Sequence, residues 1–142
     1  MPMAAYNKFN QFVQDLGRAV HNLNADTLKI MLSNSAPAIG NAIKSDITEI
    51  GAGNGYSAGG ATIAGRAYSQ TGGVGKLTGN DVTWTASGTV GPFRYAILYN
   101  DTPTSPADPL IGWWDRGTSI TLASGDSFTV DLDAVNGILQ AQ

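Results

Sequence analysis

One decapeptide sets strong terms for how the chain folds. GPFRYAILYN (91–100) puts Phe93, Tyr95, Ile97 and Tyr99 on one side of an extended strand, and Arg94, Ala96 and Leu98 on the other. Both sides are largely apolar, so this strand is expected at the centre of a sheet. A sheet around such a strand needs neighbours, and most of the chain reads as a supply of them.

DTLKIML (26–32) alternates Leu28, Ile30 and Leu32 against Thr27, Lys29 and Met31. DVTWTAS (81–87) alternates Val82, Trp84 and Ala86 against Thr83 and Thr85. ATIAGRAYSQ (61–70) predicts a strand with an irregularity at Gly65, and PLIGWWD (109–115) another. TSITLAS (118–124) and SFTVDLD (127–133) flank Gly125-Asp126, which predicts a tight hairpin. NGILQAQ (136–142) supplies a last short strand. Only the start departs from this period. Phe9, Phe12, Val13, Leu16 and Val20 recur at helical spacing, predicting an amphipathic helix over about 5–16 that ends or kinks at Gly17. The long connection 33–50 has room for one helical turn near Ile43–Ile47. About eight short strands separated by turn residues predict a mainly β fold, an antiparallel β-sandwich of jelly-roll type with a short N-terminal helix. The chain is expected to form a single domain over 1–142, with 1–25 as an arm and helix packed on it. Strand order stays open.

Composition narrows function. Charged residues make up only 13% of the 142, against a usual share of about 25%, so the surface is expected to be polar-neutral or covered by a partner. Eight basic residues face eleven acidic ones with no Lys/Arg cluster, which argues against direct nucleic-acid binding. The absence of cysteine excludes disulfides, thiolate metal sites and cysteine nucleophiles. MPMAAYNKFNQF lacks the apolar core of a secretory signal, and no apolar run is long enough for a membrane-spanning helix.

Four features invite a chemical reading. In EIGAGNGYSAGGATIAG (49–65), Gly53–Ala58 fits G-x-G-x-x-A. A dinucleotide cradle needs a strand before the glycines, a helix after them, and an acid about 20 residues on. The preceding SDITEI is a weak strand, the following segment is a poor helix, and no Asp or Glu lies between Glu49 and Asp81. The run is instead expected to be a mobile connection that Tyr56 pins to the core and that a neighbouring subunit orders. GGVGKLTG (72–79) imitates a P-loop, but Leu77 stands where Ser or Thr binds magnesium and Gln70 where the first Gly belongs. His21, the one histidine, has no nucleophile motif to serve. Asp131 and Asp133 share a strand face, which suits solvent better than catalysis. No catalytic residue, metal site or cofactor is expected. Trp113-Trp114 point to opposite sides of a strand. An outward Trp suits a protein interface or sugar stacking, and an inward one suits the core.

Four segments carry a resemblance: KFNQFVQDLGRAVHNLNADTLKIMLSN (8–34), DITEIGAGNGYSAGG (46–60), GPFRYAILYND (91–101) and LIGWWDRG (110–117). Together they resemble the small structural proteins of tailed-bacteriophage virions, most of all the capsid decoration, or cement, proteins. The resemblance implies a jelly-roll-like sandwich without enzymatic activity, made in the host cytoplasm and bound to the outer surface of the phage head. It implies the major capsid protein as partner, self-association as a homodimer or homotrimer, and no membrane. Capsomers would be clamped against the pressure of internal DNA. The expected contact residues are Met3, Tyr6, Phe9 and Phe12 of the arm, with Tyr56, Trp113 and Trp114. The competing expectation is a tail-fibre or receptor-binding module that grips host glycans through Trp113, Trp114 and the loop 100–109.

Overall fold

A computed structural model of the chain describes residues 5–141. These form strands β1 (Tyr6–Lys8), β2 (Leu28–Ser33), β3 (Ala61–Thr62), β4 (Ala67–Thr71) and β5 (Val74–Thr78), then β6 (Val82–Thr85), β7 (Val90–Asn100), β8 (Leu110–Leu122), β9 (Ser127–Val130) and β10 (Leu139–Ala141). One α-helix, α1 (Asn10–Gly17), and a 3-10 turn at Lys44–Asp46 complete the inventory. The sheets are antiparallel, ordered β1-β8-β7-β2-β3, β10-β5-β4 and β6-β9. The chain is mainly β and a β-sandwich, as its alternation predicts, with about ten strands rather than about eight. No helix among the described residues is long and apolar enough to cross a membrane.

The main core lies between the five-stranded sheet and the two smaller ones. Leu28, Ile30, Leu32, Ala96, Leu98, Ile111 and Trp114 meet Leu77, Val82, Trp84, Val130 and Leu139 there. β7 sits between β8 and β2, the central place that its two apolar faces require. Its other face carries Tyr95, Ile97 and Tyr99, which join Phe9, Met31, Ile47 and Leu110 in a second cluster. The connection after β2 reaches this cluster through Ile47 and sets the Lys44 ammonium 5.7 Å from the Tyr99 ring centre. Burial of a large aliphatic or aromatic side chain is worth about 1.5–3 kcal/mol. The two clusters share one sheet, one on each of its faces.

Several local expectations change. The helix begins at Asn10, not near residue 5, because Tyr6–Lys8 pair with Gly112–Trp114 at the free edge of β8. Phe9 is extended between the two elements, and its backbone N–H donates to the Ile111 carbonyl at 3.1 Å. Val13 belongs to the helical stripe but is 55% exposed. The segment 61–70 splits into β3 and β4 around Gly65. Segments 109–115 and 118–124 fuse into β8, thirteen residues long. A bulge bridges them: between the pairs Phe93–Ile120 and Tyr95–Asp115, β7 has only Arg94 where β8 has Arg116–Ser119. The irregularity turns Phe93 into the main core, away from Tyr95 and Ile97 with which simple alternation grouped it.

Gly125-Asp126 does make a tight turn, closed by Asp126 N–H to the Ala123 carbonyl at 3.0 Å. It is not a hairpin. The strand before it pairs with β7, and β9 after it pairs with β6. The turn carries the chain from one layer of the sandwich to the other.

Candidate interaction surface

The residues expected to face a partner lie mostly inside the chain. Phe9 is fully buried, and Phe12, Tyr56 and Trp114 are buried with it. Tyr6 packs edge-on against Trp114 with ring centres 5.6 Å apart, and burial raises its phenol well above the usual range. Trp113 is half-buried against Phe9, at 4.5 Å between ring centres. Met3 lies outside the described residues. The two tryptophans do point to opposite faces, but each face has its own cluster, so both rings serve packing. Phe9, Phe12, Tyr56 and Trp114 are sheltered by their own fold and have little area to give a partner, while Tyr6 and Trp113 stay partly exposed.

Tyr56 behaves as its sequence suggested. Its hydroxyl accepts from Leu32 N–H at 3.0 Å and donates to Glu49 Oε2 at 2.6 Å. The same carboxylate oxygen accepts from Gly59 N–H at 2.7 Å, and Lys44 Nζ lies 3.3 Å from Oε1. The Tyr99 hydroxyl donates to the Gly59 carbonyl at 2.5 Å. Burial, aided by Glu49, pushes the Tyr56 phenol far up, so it stays a donor at any ordinary pH. Asn54 reaches across to β7's approach, its side chain donating to the Thr89 carbonyl at 2.9 Å. The glycine run thus has ties within its own chain.

The acidic residues have structural work. Asp133 accepts from Val135 N–H, Asn136 N–H and the Asn136 side chain, and these bonds, Asn136's first, hold its carboxyl below the usual range. Asp81 accepts from Leu132 N–H at 2.7 Å. Together with Asp131 they line an open depression of about 490 Å³. Among the described residues, no three His, Cys, Asp or Glu side chains group as a metal would require.

One outward face is neutral. The β6–β9 pair turns Val82, Trp84 and Val130 inward and leaves Thr83, Thr85, Ser127 and Thr129 exposed. The hydroxyls pair across the strands, Thr83 with Thr129 at 2.9 Å and Thr85 with Ser127 at 3.1 Å. Neither strand has a charged residue, and acid appears only beyond their ends, Asp81 and Asp131 at one and Asp126 at the other. Edge strand β4, AYSQT, is also uncharged and mostly exposed. Alternation in DVTWTAS foretold which residues face out. Which face is outward and neutral needed the sandwich, since four of the six described contact residues proposed from sequence turned inward.

No family model, curated protein or solved structure matches the chain.

Proposed function

We propose that this chain is a non-enzymatic structural protein of a tailed-bacteriophage virion, a decoration protein that binds the outer surface of the icosahedral head. It associates as a homodimer or homotrimer and holds neighbouring capsomers against the pressure of packaged DNA. The class comes from the four-segment resemblance. The structural observation that supports it is the uncharged outer face of β6–β9, with Thr83, Thr85, Ser127 and Thr129 exposed. Burying such a face against a protein lattice leaves no charge to desolvate, and protein interfaces are depleted of charge at their centres. A partner that binds the assembled shell and not free capsomers stabilises the shell by its binding free energy, and repeated copies add avidity. The glycan-binding alternative has less support, because Trp113 and Trp114 are packed into the two clusters.

The test is co-sedimentation of the purified protein with phage heads that lack it, followed by the temperature at which those heads release DNA. The protein should pellet with the heads and raise that temperature. Absence from the pellet, or labelling of the tail tip in intact particles, would overturn the proposal. A Thr83→Glu/Thr129→Glu variant should fold and stay in the supernatant. If it pellets like the wild type, another face makes the contact.

A further inference from the structure

His21 is buried, and it belongs to a polar chain that the proposed function does not use. It follows α1 at an elbow where Val20 N–H donates back to the Asp15 carbonyl at 2.9 Å and Ala19 takes φ 62°. Asn100, the last residue of β7, is fully buried and faces it. The Asn100 amide nitrogen lies 3.1 Å from His21 Nδ1 and donates to Asp26 Oδ2 at 2.7 Å. The Asn100 side-chain oxygen accepts from Thr102 N–H at 3.1 Å, and Asp26 Oδ2 also accepts from Asn22 N–H at 2.9 Å.

These bonds dictate the tautomer. The Asn100 amide cannot turn over without setting its oxygen against Asp26 and its NH₂ against Thr102 N–H. His21 Nδ1 must therefore accept, and its proton sits on Nε2. We propose that neutral His21 is a proton-operated latch that fastens the helix and elbow, residues 10–27, to the end of β7. A proton on Nδ1 would place two donors nose to nose. Either the ring swings out and loses Asn100, or the amide turns over and loses Asp26 and Thr102, and both remove a bond between residues 10–27 and the end of β7.

Charge and burial act against each other at the ring. Asp15, from α1, and Asp26, from the connection before β2, favour the imidazolium; β7 contributes the neutral Asn100, and Phe12 lies 5.2 Å from the ring centre. Burial outweighs both carboxylates and holds the imidazole below its ordinary value of 6.5. His21 Nε2 and Asp15 Oδ2 are each buried without a partner, so no formed ion pair stands ready to stabilise the charged ring. The sign follows. The unfolded chain binds this proton more readily, so the latch is fully closed above about pH 6.5 and weakens as pH falls through the folded value.

The experiment is proton and nitrogen NMR of His21, with amide exchange of residues 10–27 followed from pH 7.5 to 5 and corrected for intrinsic exchange. The latch predicts the Nε2–H tautomer at pH 7.5, a titration below the free-imidazole value, and several-fold faster exchange in residues 10–27 at low pH while β7 and β8 stay protected. His21→Asn keeps an acceptor toward Asn100 but cannot titrate, and its exchange should be flat with pH. An Nδ1–H tautomer, a titration at or above the ordinary value, or the same acid loosening in the variant would overturn the proposal. If the variant does not fold, the tautomer and titration of the wild type decide it.

Discussion

Two glycine pairs look alike in sequence and differ in the fold. Gly59-Gly60 ends the run that opens at Gly53, and Gly72-Gly73 joins β4 to β5. All four glycines have positive φ, between 60° and 91°. At Gly72 and Gly73 an added Cβ would meet nothing within 4 Å. These two residues make a two-residue hairpin turn whose backbone twist suits the strands, and glycine is there for φ alone. At Gly60 an added Cβ would drive into the Ile30 carbonyl on β2. Glycine there supplies φ and also lets two backbones touch. Conformational freedom is the shared property; contact with the rest of the fold makes one pair critical and the other replaceable.

That contrast can be broken by experiment. Gly60→Ala should cost the most, about 3 kcal/mol or more from combined overpacking and backbone strain, read from the midpoint of urea unfolding. A loss under about 0.5 kcal/mol would mean that β2 and the glycine run do not touch. Tyr56→Phe comes next, at about 1–3 kcal/mol, because Leu32 N–H and Glu49 each lose a buried partner. Its effect should shrink sharply in a Glu49→Gln/Tyr56→Phe double mutant if the two act as one network. Without any mutation, hydrogen exchange of the free protein should protect Tyr56, Gly59 and Gly60 and leave Gly72 open; equal rates in both segments would erase the distinction. Gly72→Asn should be smallest, a few tenths of a kcal/mol, since Asn tolerates the left-handed region and the site is empty.

The same contrast explains what was legible beforehand. GGVGKLTG imitates a phosphate loop but lacks its first Gly and its Ser or Thr, and its Gly-Gly pair is the hairpin signal while Leu77 is a fully buried core residue. The signal was local and readable. The tie between Tyr56 and β2 was half readable: Tyr56 as a pin follows from a lone aromatic among glycines, but its partner Leu32 lies on a strand 24 residues away. The contact set was hard to read for a related reason. Phe9 and Trp113 look like exposed anchors only while the second apolar face of β7 is left out, and Phe12 and Trp114 only while the main core is, and both are built by residues far apart in sequence.

By itself the sequence determined the alternation of β2, β6 and β7, the centrality of β7, the turn at Lys44–Asp46 and the neutral outward Thr83 and Thr85. Each follows from side-chain period and local backbone preference, which act within a few residues. The tertiary structure alone decided that β9 pairs with β6 instead of β8, that a bulge sends Phe93 into the main core, and that Tyr6–Lys8 extend a sheet instead of a helix. A turn specifies that the chain reverses; which strand it then meets depends on the hydrogen bonds and buried area offered by segments distant in sequence.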